Sequence, residues 1–227
     1  MIQKIFFVLL ALTATTSPCF ASTAEQELAS FNPKELQALQ SGEQIERYKD
    51  LGGIWPQITL YQKVAARPDE AAAVYWDQGR HPEYFPGDIL ASNPRSPKPK
   101  NNVVIIDVTL NLGFGFGTDS LVMQHALTRP NNNSHEHQIS WVMLVPSKAA
   151  DSSYGLVRFV DYQGGSLAVY QNYVVPKDSL GILSWVVPLA KKAVRRTVTH
   201  LKASIERIKT QNPQLLDRQL KNLNGSL

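Results

Sequence analysis

Asp77-Gln78-Gly79-Arg80-His81 brings a carboxylate, a guanidinium and an imidazole into one short stretch, the residue types that acid–base work requires. Residues of these types also cap helices and make surface hydrogen bonds, so the cluster has a plain structural use too. The other titratable cluster is His135-Glu136-His137. On a strand, His-x-His turns both imidazoles to one face and offers a workable pair of metal ligands. It follows Asn131-Asn132-Asn133, however, and reads better as a strand beginning at an exposed turn. Neither His125 nor His81 can be placed beside it as a third ligand. The chain contains no Gly-x-Ser-x-Gly elbow, no His-Glu-x-x-His pair and no phosphate loop. The glycines of Gly113-Phe114-Gly115-Phe116-Gly117 fall inside a run of strands with no helix after them, which excludes a dinucleotide fingerprint. No metal, cofactor or catalytic residue is assigned, and binding is favoured over catalysis.

Side chains suited to an apolar cavity are more numerous. Tyr61, Trp76, Tyr84, Phe85, Met123, Trp141, Met143, Phe159, Tyr170 and Tyr173 are large and either flat or pliable. Each could equally fill a closed core. Trp141 and Met143 are two apart on one strand and share a face, with Met123 on the preceding strand able to stand opposite. This trio is expected on the concave side. Asp107, Thr109 and Asn111 alternate with Ile106, Val108, Leu110 and Leu112 and read as the solvent face of a half-buried strand. The alternative for Asp107 is a polar handle inside a cavity. Phe114 to Gly117 is a bulge or a mobile rim.

The elements that must position these residues follow from spacing. Asn32-Pro33-Lys34-Glu35 starts a short helix, with Asn32 as cap and Pro33 in the first turn. A first strand is expected within 54–65, a second helix from Pro68 to Trp76 ended by Asp77-Gln78-Gly79, and a brief turn over 80–85. Strands follow at 88–92, 103–116, 120–128, 138–145, 154–162 and 166–175, the last three linked closely enough to pair as an antiparallel meander. The final element is a long helix over 179–209. Leu189, Ala193, Val194, Thr197, Val198, Leu201, Ile205 and Ile208 form its apolar stripe, with Lys191, Lys192, Arg195, Arg196 and Lys202 largely on the other side. Pro188 is expected to kink it early. Residues 211–227 read as a polar tail.

Lys4, the apolar run from Ile5 to Ala14 and Ala21 have the order of a cleaved secretory signal over residues 1–21. The apolar run is too short to span a bilayer, so export with cleavage is expected, to the periplasm or beyond. The single cysteine, Cys19, lies in that segment, which leaves the mature chain without disulfides or cysteine-ligated metal. Residues 22–53 read as a helical lead-in and 54–210 as one domain. The formal charge of +4 is modest, and its C-terminal basic residues suit a solvated helix face better than nucleic acid. They also allow transient contact with an anionic membrane surface.

Strands followed by one amphipathic helix make an α+β domain, since a single sheet needs that helix to cover its apolar face. Val64-Ala65-Ala66-Arg67-Pro68-Asp69-Glu70, Val74-Tyr75-Trp76-Asp77 and His81-Pro82-Glu83-Tyr84-Phe85-Pro86 resemble the signature of the START-like superfamily. The resemblance continues through Asn172-Tyr173-Val174-Val175-Pro176 and residues 190–205, covering roughly 58–208. It implies a helix-grip fold, a curved antiparallel sheet of about seven strands around the long C-terminal helix. Among lipid-transfer domains, cyclases and other ligand binders it selects no single function. The expectation is an exported carrier or sensor of a lipid or other apolar small molecule. A cyclase- or hydratase-type enzyme and a structural protein with a collapsed cavity are the alternatives.

Overall fold

The computed structural model describes residues 24–96, 102–113, 117–129, 136–177 and 186–225. The signal segment, the tip of the 93–102 hairpin, Phe114 to Phe116, His135 and the start of the long helix lie outside the described residues.

Alternation of apolar and polar side chains writes most of the sheet. Its strands are β1 (Ile45–Lys49), β2 (Gln57–Val64), β3 (Ile89–Pro94), β4 (Val103–Asn111), β5 (Thr118–Thr128), β6 (Glu136–Met143), β7 (Ala150–Tyr162) and β8 (Gly165–Pro176). They form one curved antiparallel sheet in the order β1-β2-β8-β7-β6-β5-β4-β3. The expected meander of β6, β7 and β8 is present, with Trp141 opposite Gly155 and Val157 opposite Tyr170. The eighth strand is β1, where the sequence suggests only a lead-in. Its residues Ile-Glu-Arg-Tyr-Lys bury little, and it is held at the sheet edge by pairing with β2. At the other margin β4 stops at Asn111, short of the expected 116, where Asn111 Oδ1 accepts the Gly113 N–H at 3.0 Å.

Helices cover both faces. On the convex side lie α1 (Ala24–Leu28) and α2 (Pro33–Gln40), the latter capped as expected, with Asn32 Oδ1 accepting the Glu35 N–H and Glu35 accepting the Asn32 N–H. Leu28, Phe31 and Leu39 bury Val160, Leu167 and Val169 from outside. That second cover is why β8 is buried on consecutive residues over its first half.

The concave side holds α3 (Pro68–Trp76), a 3₁₀ turn (Gln78–Arg80), α4 (His81–Tyr84), α5 (Val186–Gln211) and α6 (Pro213–Gly225). The alanines of α3, Ala71 to Ala73, let it press closely into the core. Pro188 lies near the start of the described part of α5. The expected polar tail is instead the helix α6. Pro213 fits its first position, the Asn212 side chain accepts the Leu215 N–H, and Leu215, Leu216 and Leu223 sit on one buried stripe. Its polar average hides that stripe. Gln219 anchors it, donating to Asp77 Oδ2 at 2.8 Å and to the Tyr84 hydroxyl at 2.6 Å.

The expected face of α5 is the one that meets the core. Val198, Leu201, Ile205 and Ile208 are buried, while Lys202 reaches Glu206, whose Oε1 also accepts the Ala65 N–H. Leu201→Ala is therefore expected to cost about 2–5 kcal/mol. Lys202→Ala should cost under about 0.5 kcal/mol. Urea midpoints of the two variants check this, and equal midpoints would contradict the assignment of the face.

Candidate ligand cavity

Toward its N-terminal half α5 stands away from the sheet, and a cavity of about 540 Å³ opens between them. Leu189, Ala193, Val194 and Thr197 of α5 roof it. Ile106, Val108 and Leu110 of β4, Leu121 and Met123 of β5, and Tyr170 and Val174 of β8 form its floor. A smaller space of about 220 Å³ adjoins it, and Trp55, Leu110, Leu112, Leu121, Ser153 and Val174 border both. Asp119 fixes the loop at this side, accepting from Ser147 Oγ at 2.7 Å and from the Lys148 and Ala149 N–H groups.

Strand register explains the placement of the trio. Met123 stands opposite Met143 and His125 opposite Trp141, and all four point inward, whereas Val142 between them is exposed. Trp141 and Met123 line the larger space and Met143 the smaller. Gly155 makes room for the indole: a Cβ there would lie 2.4 Å from the Trp141 ring and 2.2 Å from the Gln171 carbonyl oxygen.

Of the other candidates, Phe85 and Tyr170 line the cavity. Tyr84 is buried beside it, its hydroxyl donating to Asp77 at 3.3 Å. Trp76 and Phe159 are packed in the core and do not border the space. Tyr61 lies on the convex face, edge-on to Phe31 at 4.9 Å between ring centroids. Tyr173 is also outside, against Tyr154 at 5.2 Å. Asp107 pairs with Arg95 at 2.8 Å on the solvent face, so the outer-face reading holds.

The closed end is aromatic. Tyr75 of α3, His81, Phe85, His125, Trp141 and Tyr170 meet there, with Trp141 and Tyr170 centroids 5.1 Å apart and His125 stacked on Trp141 at 6.2 Å. Tyr75 and His125 are not among the cavity residues the sequence suggests. His125 was legible by extending the Met123 alternation one step, while Tyr75 lies on a helix whose every face is buried. A carbonyl can only accept, so His81 donates Nε2–H to the Tyr75 carbonyl, at 2.9 Å. Burial holds the His81 imidazole at about 4, against the pull of that hydrogen bond and of Asp77. Burial and the neighbouring His81 hold His125 at about 3. The phenols of Tyr75 and Tyr170 are pushed up by burial. The closed end is thus uncharged.

Asp77, Arg80 and His81 do not act as a cluster facing the cavity. Only His81 borders it, while Asp77 is tied to Tyr84 and Gln219 and Arg80 pairs with Glu83. His137 is buried against Arg129, and the described residues contain no metal-holding group of three or more ligands.

No protein-family model and no curated protein sequence matches the chain. Solved structures do. A STAR-related lipid transfer protein from Xanthomonas axonopodis superposes with a TM-score of 0.59 at 13% identity, over 71% of this chain and 92% of that one. Zhui aromatase/cyclase from Streptomyces sp. R1128 gives 0.56 at 12% identity, over 67% and 94%. Human STARD10 gives 0.53 at 13%, over 80% and 82%. Identities this low carry the architecture and leave function to the site. The chain has the START-like helix-grip fold.

Proposed function

We propose that the protein is an exported carrier or sensor that holds a lipid or another apolar small molecule in this cavity, without a cofactor. The observation that carries the reading is the space itself. Its volume of about 540 Å³ lies within the usual range for small-molecule sites, roughly 300–1,000 Å³, and its walls are mainly aliphatic and aromatic. A collapsed core would not leave it. An enzyme of the cyclase or hydratase type would need titratable groups free to act together in the cavity. Of Asp77, Arg80 and His81 only His81 borders the cavity, and it spends its Nε2 proton on the Tyr75 carbonyl. The other titratable groups at that end, His125, Tyr75 and Tyr170, are held neutral by burial.

Export rests on the signal-like segment of residues 1–21. Contact with an anionic membrane surface is a further part of the proposal. Arg195 pairs with Glu46, Arg196 with Asp88, and Lys191 lies over the Tyr48 ring, so Lys192 at the cavity mouth is the cation best placed for it.

A pyrene-labelled hydrocarbon is expected to bind the mature protein and quench the emission of Trp141 and Trp55, which border the space. Native mass spectrometry of protein taken from the periplasm should show a bound lipid-like species and a chain beginning at Ser22. Folded protein that takes up no probe and releases no lipid on extraction would remove the carrier reading.

A further inference from the structure

Deep in the cavity, polar atoms stand without protein partners. His125 is about 5% exposed, and its Nδ1 is buried with no hydrogen-bond partner. Tyr75 and Tyr170 line the same end of the space; among the described residues neither hydroxyl has a hydrogen-bond partner, and neither oxygen is sealed from the cavity as the imidazole nitrogen is. Buried polar groups in folded proteins are nearly always paired, because an unmade hydrogen bond costs the full desolvation of the group. Here one sealed imidazole nitrogen and two phenol hydroxyls open to the cavity meet at one end of a ligand-sized space.

Charge narrows what can satisfy them. The cavity's cations, Lys192 and Arg196, lie on α5 at the open end, and Arg196 is already paired with Asp88. Among the described residues no cation borders the closed end. An anion placed there would lose its hydration without gaining a counter-charge. Neutral imidazole offers one donor and one acceptor, and each phenol can do either.

We propose, on the carrier reading above, that the closed end recognises a neutral oxygen, a hydroxyl or a ketone, at the inner end of an otherwise apolar ligand. Tyr75 and Tyr170 are its hydrogen-bonding partners, with the neutral His125 ring packed beside them. The ligand class is therefore an apolar alcohol or ketone that enters oxygen first. A carboxylate or phosphate of the same size gains nothing at that end.

The test uses four pyrene-labelled probes of one chain length, ending in a methyl group, a hydroxyl, a methyl ketone or a carboxylate. The alcohol and ketone are expected to bind about tenfold more tightly than the hydrocarbon, the equivalent of one well-made hydrogen bond. The carboxylate should bind no more tightly than the hydrocarbon. Tyr170→Phe and Tyr75→Phe should each lower the ratio of alcohol to hydrocarbon affinity, and a cooperative urea transition in each variant shows that it folds. The bound ketone's carbonyl stretch should fall in frequency relative to the probe in alkane, and recover part of that fall in Tyr170→Phe. Equal affinity for hydrocarbon, alcohol and ketone would overturn this inference and leave the carrier reading standing. A preference that survives both variants, or a carboxylate that binds most tightly, would also overturn it. Failure of all four probes to bind would instead overturn the carrier reading.

Discussion

Trp141→Ala is expected to lower the stability of the folded chain by about 3–5 kcal/mol in urea unfolding, the usual cost of truncating a buried aromatic. The indole is about 7% exposed and touches the rings of Tyr170, His125 and Tyr75, so its removal strips the closed end of its largest wall. Affinity for a hydrocarbon probe should fall with it, because the space widens where contact is lost. Gly155→Ala approaches the same point from the neighbouring strand. Its added methyl meets the indole and the Gln171 carbonyl oxygen at distances real side chains do not occupy. Overpacking of this kind costs about 1–3 kcal/mol or more. The two changes are expected to be less than additive, since removing the ring relieves one of the clashes, yet the double variant should remain impaired because the carbonyl stays. Fully additive losses would show that the indole does not rest on Gly155.

Acid is expected to unfold the protein well above the range in which ordinary carboxylates titrate. His81 and His125 are held at about 4 and about 3 in the fold, against 6.5 for the free side chain. Below pH 6.5 the unfolded chain therefore takes up protons that the folded chain refuses. Stability present above that pH is lost as pH falls toward the folded values. Each histidine contributes a slope of about 1.4 kcal/mol per pH unit in this window. Between pH 7 and 5 the pair should cost about 4 kcal/mol. His137, also held at about 4 by burial and by Arg129, acts in the same direction. Glu136 opposes them, because burial raises its carboxyl and the folded chain then takes the proton first. Urea midpoints measured at pH 7 and pH 5 check the balance, and a His125→Phe variant should show a shallower loss. Unchanged midpoints across that interval would contradict a charge-free closed end.

The sheet and its inward face were largely legible, and for one reason. Period-two alternation in Met123, His125, Leu127 and in Ile139, Trp141, Met143 fixes which residues share a side. It does not say which side is concave when both are covered. Size alone points Tyr61 and Tyr173 to the cavity. Tyr61 instead serves the convex face, where α1 and α2 pack, and Tyr173 lies outside against the exposed Tyr154. Aliphatic lining residues such as Ile106 and Val108 carry no sequence mark that separates a cavity wall from a filled core. The helix α6 was hidden by its polar composition and β1 by its charge. In both, a few apolar positions matter only because of what the fold brings beside them.

The strand order has a consequence for how the molecule assembles. From β4 to β8 each strand pairs with its predecessor in the chain, so the meander needs only short loops to close. The β1–β2 ribbon is different: Ile58 lies opposite Asn172 and Val64 opposite Ser166, across most of the domain's sequence. Closing so long a loop must precede the contacts that reward it, which places chains of this topology among the slower folders, in milliseconds to seconds. Until then β8 offers an open edge, a site where another copy of the chain could pair. Tyr75 at the closed end of the space lies on α3, which follows β2 directly, so the strand that takes this edge also brings that wall of the cavity with it.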